Sequence, residues 1–180
     1  MKFTESKLQG AYVIEVEKIE DDRGFFGRLW CEKEFQKYNL NTNIVQSNVS
    51  LSKKQGTLRG MHFQKSPHQE TKLVRCTKGS VYDVIIDLRP DSPTFKKWFG
   101  VKLTEDNHKM IYVPENFAHG FLTLEDNSEV YYLVTQFYNK EAESGLRWND
   151  PAFDIQWPIE VMEISDKDNR HANFNLKDIT

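Results

Sequence analysis

Short runs of β-branched and aromatic residues, each closed by a turn signal, recur along most of this chain and leave little room for helices. The runs cover Ala11–Val16, Ile44–Ser52, Thr57–Gln64, Lys72–Cys76, Val81–Leu88, Trp98–Leu103, Met110–Val113, Gly120–Leu124 and Glu129–Phe137. Lys78-Gly79, Asp91-Ser92-Pro93, Glu105-Asp106-Asn107 and Glu125-Asp126-Asn127 punctuate them. Before the C-terminal quarter only Glu32–Tyr38 reads as helix. Many short strands at near-regular spacing must each bury one face, and sandwiches and barrels are the architectures that achieve it. No repeat or low-complexity linker interrupts the pattern. The expectation is one all-β domain over residues 1–180 with a few short, mainly C-terminal helices.

Charge and cysteine content narrow the function classes. A net charge of -3 and a pI near 6.0 argue against an electrostatic nucleic-acid footprint. Cys31 and Cys76 are far apart and form no CxxC pair, which fits free thiols in a reducing cytosol. Met1–Ser6 lacks the apolar stretch of a signal peptide, and no apolar run approaches the ~20 residues needed to cross a bilayer. A cytoplasmic protein without membrane or nucleic-acid partners is expected. Aromatic residues make up 13% of the chain and favour a ring-lined cavity.

The densest chemistry lies in Arg59-Gly60-Met61-His62-Phe63-Gln64. An imidazole, the commonest general base at neutral pH, stands three residues from a guanidinium, the natural clamp for phosphate. Strict alternation puts Arg59 and His62 on opposite faces, and a bulge at Gly60 is the device that reconciles them. His119 lies between Ala118 and Gly120, unshielded, and is open to metal binding, phosphate binding or pocket shaping. Lys72 starts its strand, a position that is solvated unless a site surrounds it.

Gln46, Asn48 and Ser50 share one face of their strand, while Val45, Ser47, Val49 and Leu51 share the other. Tyr132, Gln136 and Tyr138 have equal parity and can aim two phenols into one space. Asp83 shares a face with Val81 and Ile85, and a carboxylate in such company needs a partner. His62, Gln64, Glu70 and His119 retrace the ligand layout of cupin metal sites, but Gln64 replaces the second histidine and is a poor transition-metal ligand. No metal and no cofactor are expected. His68 and His171 lack a companion at ligand spacing and read as surface residues. Asp166-Lys167-Asp168 reads on composition as a solvated turn.

With these motifs in hand, the chain resembles the dTDP-4-dehydrorhamnose 3,5-epimerase family of cupin-type jelly rolls. The likeness runs through Asp22-Arg23-Gly24-Phe25-Phe26, Val45-Gln46-Ser47-Asn48, Leu58–Gln64, Lys72-Leu73-Val74-Arg75 and Asp87-Leu88-Arg89 with Ser92-Pro93-Thr94. It continues through Pro114–Phe121, Trp148-Asn149-Asp150-Pro151 and Trp157-Pro158. The resemblance implies a β-sandwich or barrel of jelly-roll type and a metal-independent epimerase of a nucleotide-linked 4-keto-6-deoxy sugar.

Under that resemblance His62 is the base that removes a proton beside the ketone. Asp168 holds and polarises it, with Asp83 as the competing candidate. Tyr132 delivers a proton to the opposite face of the ring, and Lys72, helped by His119, meets the charge on the enolate oxygen. Arg23, Arg59, Gln46, Ser47, Asn48, Glu143 and Lys167 match positions that hold the nucleotide-sugar, and the base stacks on Phe26 or Tyr138. Arg28 falls in the same nucleotide-holding set, where the family carries a glutamate. That charge reversal keeps a relative on another nucleotide, such as a CDP-sugar mono-epimerase, or a non-catalytic sugar-nucleotide binder, in view. A homodimer paired through N-terminal strands is also implied.

Overall fold

A computed structural model describes residues 1–178. Its elements, in chain order, are β1 (Lys2–Glu5), β2 (Tyr12–Glu15), β3 (Lys18–Asp21), β4 (Gly24–Gly27), α1 (Glu32–Gln36), β5 (Gln46–Ser52), β6 (Thr57–Gln64) and β7 (Lys72–Lys78). They continue with β8 (Ser80–Asp87), β9 (Trp98–Thr104), β10 (Met110–Val113), β11 (Phe117–Thr123), β12 (Ser128–Val134), β13 (Glu143–Gly145), β14 (Glu163–Ile164) and α2 (Asp166–Asn169). Leu176–Asp178 form a 3₁₀ turn.

The strands assemble into two facing sheets. The first has the order β1-β2-β10-β7-β12-β5, and the second β13-β6-β11-β8-β9 with β14 added in parallel beside β6. A separate hairpin, β3–β4, stands off both. Alternating side chains explain the filling between the sheets. Val74, Cys76, Ile111, Val113 and Val130 come from the first sheet and meet Val81, Ile85, Leu103, Phe117 and Phe121 from the second. Each aliphatic or aromatic side chain removed from water there contributes roughly 1.5–3 kcal/mol. The crossing strand order is that of a jelly roll, as the family resemblance implies, and is one form of the sandwich that the turn-punctuated sequence predicts.

The second sheet is buried on both faces, which explains unbroken apolar runs such as Val84-Ile85-Ile86. Its outer face carries Met61, Phe63, Val84, Ile86 and Ala118, and the C-terminal segment covers them with Leu146, Phe153, Ile155, Trp157 and Phe174. Trp157 Nε1 donates to the Trp148 carbonyl at 3.2 Å, and the Phe174 N–H donates to Asp150 Oδ2, so this cover is tied down by polar bonds as well. The first sheet is covered only in part. Phe35 of α1 and Leu40 pack over Ile14, Leu73, Met110 and Tyr112, while Val49, Leu51 and Tyr131 stay open to solvent.

The sequence runs and the observed strands differ in instructive places. The Glu129–Phe137 run ends as a strand at Val134, after which the chain turns. The β3–β4 hairpin is too short to carry a period, and its apolar residues Ile19, Phe25 and Phe26 are exposed rather than set in a buried face. Strands β13 and β14 are too short to carry a period.

The expected bulge at Gly60 is present. His119 pairs with His62 and Phe121 with Arg59, so two steps along β11 span three along β6. The extra residue returns Arg59 and His62 to the same face. Gly60 has φ +128°, and a Cβ there would sit 2.5 Å from Gly120 Cα and 2.9 Å from the His119 carbonyl oxygen. Gly60→Ala therefore meets both a disfavoured backbone conformation and a backbone wall; it is expected to destabilise the protein by roughly 2–4 kcal/mol. Urea denaturation measures this, and an unchanged midpoint would contradict the close approach of β6 and β11.

Candidate active site

The two sheets splay apart at one end and enclose a cavity of about 430 Å³, lined by Arg59, His62, Lys72, His119, Phe121, Tyr132, Lys167 and Asp168 among others. A second lobe of about 370 Å³ adjoins it through His62, Lys72 and Tyr132, and adds Gln46, Asn48, Glu70, Tyr138 and Glu143. Arg59 and His62 come from β6 and His119 from β11, all in the second sheet. Lys72 on β7 and Tyr132 on β12 belong to the first. An imidazole and a phenol therefore enter one space from opposing sheets.

His62 Nε2 donates to Asp168 Oδ1 at 2.8 Å across 106 residues of chain. Asp168 Oδ2 accepts from the Gly60 N–H at 3.2 Å. Ser165 makes this possible by capping α2, its hydroxyl accepting from the Asp168 N–H at 3.1 Å. Asp166-Lys167-Asp168 is thus a short capped helix, where composition suggested a solvated turn. Burial alone would push the Asp168 carboxyl up. The hydrogen bond and charge of His62, the Gly60 N–H and His171 outweigh it and hold the group below the usual carboxylate range. The bond fixes the His62 tautomer with its proton on Nε2 and leaves Nδ1 as a lone pair.

Of the two candidate partners for His62, Asp168 makes the contact. Asp83, fully buried, accepts instead from His119 Nε2 with both oxygens, at 3.0 and 2.9 Å. Lys72 Nζ lies 3.1 Å from Glu70 Oε1, so Glu70, a candidate metal ligand on the sequence, serves as the partner of the ammonium from just before β7. Burial pushes the Tyr132 phenol up, and Glu70 adds to the effect while Arg59 opposes it. The phenol keeps its proton through the neutral range.

At the mouth, Lys167 Nζ pairs with Glu143 Oε1 at 2.6 Å and the Tyr138 hydroxyl donates to Glu143 Oε2 at 3.0 Å. Arg59 Nε donates to Ser52 Oγ at 3.0 Å, which anchors its guanidinium at the rim. Gln46 Nε2 donates to Asn48 Oδ1 at 2.9 Å; strand parity predicts that the two amides share a face, and that face lines the cavity.

Other expected ligand-holding residues lie elsewhere. Ser47 faces the outer side of the first sheet with Val49 and Leu51, because alternation turns it away from Gln46 and Asn48. Arg23 and Phe26 sit on the exposed β3–β4 hairpin, and Arg23 is paired with Asp21 at 2.6 Å. Arg28 pairs with Glu34 at 2.9 Å and lines neither lobe, so its reversed charge is neutralised outside the cavity of its own chain.

The cupin metal layout is not reproduced. Gln64 has both amide ends engaged: Oε1 accepts from the Asn139 N–H at 2.6 Å, and Nε2 donates to the His68 carbonyl at 3.0 Å. His119 is turned to Asp83. His62, Asp168 and His171 bring ligand atoms within 4.8 Å of one another, but the His62–Asp168 bond already occupies two of them. His68 and His171 are not surface residues; both are half-buried, and His68 Nε2 contacts Asn139 Nδ2 at 3.2 Å. The missed signal for His171 is its i+3 spacing from Asp168.

A jelly-roll sandwich that sets a carboxylate-held imidazole and a phenol on opposing sheets of one cavity, with an ammonium in its lining, has the parts of an acid–base enzyme. Comparison with known proteins gives the family. The sequence profile described as dTDP-4-dehydrorhamnose 3,5-epimerase matches residues 5–176, and the chain belongs to that family. The dTDP-4-dehydrorhamnose 3,5-epimerase of Methanothermobacter thermautotrophicus is 43% identical over 170 residues, 93% of this chain and 91% of the relative. The crystal structure of the Elizabethkingia anophelis enzyme superposes with a TM-score of 0.94 at 41% identity, covering 99% of this chain and 97% of that one. The Bacillus anthracis enzyme, solved with TDP and pyrophosphate bound, gives 0.92 at 43%, covering 96% and 99%. Among the described residues no helix is long and apolar enough to cross a membrane.

The phenol's environment has a measurable consequence. In an alkaline titration followed by tyrosinate absorbance, the component lost in Tyr132→Phe should ionise above the ordinary value of about 10. A component titrating at or below 10 would show that the phenol is solvated.

Proposed function

We propose that this chain is a cytoplasmic, metal-independent epimerase that inverts the carbons beside the ketone of dTDP-4-dehydro-6-deoxyglucose. The observation that carries the reading is the placement of His62 and Tyr132 on opposing sheets around one cavity, with Lys72 beside them. A carbon next to a ketone is a weak acid. Its anion survives only when the charge moves onto the oxygen and meets a cation or donor there.

His62 Nδ1 takes the proton from the carbon, and the imidazolium that forms is stabilised by Asp168. The electron pair moves into the ketone, and the enolate oxygen is met by the Lys72 ammonium with His119 alongside. Collapse of the enolate takes a proton at the same carbon from the Tyr132 hydroxyl, on the other face. One proton leaves and one arrives, so the configuration inverts while the composition does not change. His62 and Tyr132 then exchange protons with solvent to restore the starting state. Arg59 and Lys167 supply cations for the diphosphate, Gln46 and Asn48 supply amides, and Tyr138 supplies a ring for the base.

Two expected ligand-holders, Arg23 and Phe26, are 90% and 66% exposed on a hairpin that touches neither lobe of its own chain. The first sheet also leaves Val49 and Leu51 open, 63% and 48% exposed. Both features are accounted for by a homodimer that covers this face and carries each hairpin into the other copy's cavity.

Incubation with the 4-keto sugar nucleotide in heavy water should load deuterium beside the ketone, read by proton NMR. His62→Ala is expected to lower that exchange roughly 10²–10⁴-fold; persistence of exchange would remove His62 as the base. Tyr132→Phe should retain exchange but form little inverted product, and equal loss of both would contradict the division of labour. For the dimer, inactive Arg23→Ala and His62→Ala chains, unfolded and refolded together, should recover about a quarter of the wild-type activity through hybrid sites. No recovery, or a monomer in light scattering, would refute the shared cavity.

A further inference from the structure

His171 takes no part in these proton transfers, yet it is packed directly behind them. It follows Asp168 by three residues, and its backbone N–H donates to the Asp168 carbonyl at 3.3 Å, closing the end of α2. Its Nε2 lies 3.9 Å from Asp168 Oδ1, the same oxygen that accepts from His62. The His62 and His171 rings are 6.0 Å apart and nearly perpendicular, at 73°. His171 Nε2 is buried and has no hydrogen-bond partner among the described residues. A buried imidazole nitrogen without a partner is costly, and its presence beside a working carboxylate calls for an explanation.

The opposing strand is shaped around this ring. Gly145 pairs with His62 across β6 and β13. A Cβ on Gly145 would come within 2.3 Å of His171 Nε2 and 2.6 Å of Cε1. The residue has no need of glycine's left-handed freedom, so the missing side chain is accounted for by the imidazole it admits.

We propose that His171 is a positioning residue for the His62–Asp168 pair. It closes the pair off from water on the side away from the ligand and turns a second N–H dipole toward Asp168 Oδ1. The dipole moderates the hold of Asp168 on the His62 proton, so the imidazolium formed by proton abstraction gives that proton up again. The role requires a neutral ring. Burial and the facing His62 both keep His171 below the ordinary imidazole range, Asp168 opposes them, Lys167 assists, and Glu143 opposes. A charged ring here would compete with His62 for the carboxylate. This inference rests on His62 being the base.

The test uses the full chain with dTDP-4-dehydro-6-deoxyglucose and three variants, His171→Phe, His171→Gln and Gly145→Ala. His171→Phe fills the volume without a polar atom. It should lower kcat about tenfold, the low end of what removing a supporting group costs, with KM unchanged. It should also move the acidic limb of kcat/KM up by about half a pH unit to one unit, because Asp168 then holds the imidazolium more tightly. His171→Gln, which keeps an N–H near the same point, should restore most of both losses, and Gly145→Ala should reproduce His171→Phe by displacing the ring. An unmoved limb in His171→Phe, or equal losses in His171→Phe and His171→Gln, would overturn the role. Nitrogen NMR of the wild-type protein gives a second reading that needs no variant: a neutral Nε2–H tautomer at pH 7 is expected, and a cationic ring overturns the proposal. Deuterium exchange that survives in His62→Ala defeats the base assignment itself, whereas exchange lost there but unchanged in His171→Phe defeats only the present inference.

Discussion

The hydrogen bond between His62 and Asp168 is the interaction around which the rest of the structure is organised. It joins the middle of the chain to its C-terminal segment, and neither partner reaches the other through local structure. His62 needs the bulge at Gly60 to face the cavity. Asp168 needs the Ser165 cap to present its carboxylate, and its bonds to His62 and to the Gly60 N–H tie α2 to β6. Gly60 serves twice, since its N–H also satisfies the second oxygen of Asp168. A buried carboxylate with two donors is held in place and held ionised, which is what a base partner must be.

Three further basic side chains of the cavity are paired with carboxylates before any ligand arrives. Lys72 has Glu70, Lys167 has Glu143, and His119 has Asp83. An anionic ligand therefore enters a site of directed donors whose countercharges already fix their positions, and it competes for cations that are oriented in advance. Arg59 differs, being anchored through neutral oxygens of Ser52 and Leu51, which leaves its charge for the ligand.

Much of this was legible in the sequence, and the reasons are physical. Strands with a 2-residue period declared themselves, and the one break in that period, at Gly60, was readable as a bulge because two residues with related chemistry lay on clashing parities. The shared face of Gln46 and Asn48 followed from parity, though not which way that face points, and the need of Asp83 for a partner followed from its apolar neighbours. Residues brought in by tertiary packing were not legible. Asp168 sat in a charged triplet that composition reads as solvated, and only the family likeness gave it a role. His171 read as a surface residue because its setting is created by a missing side chain on a different strand. Ser47 went astray for the opposite reason: a contiguous motif was transferred whole, where alternation sends its third residue to the other face.

Placing His62 and Tyr132 on separate sheets has a structural consequence. The separation of His62 from Tyr132 depends on the thickness of the sandwich, about 10 Å between facing sheets, and that thickness is set by the side chains filling the interior. Val74, Ile85 and Ile111, which line neither lobe of the cavity, act as spacers between the two sheets. The packing of the interior therefore sets how far apart the imidazole and the phenol stand.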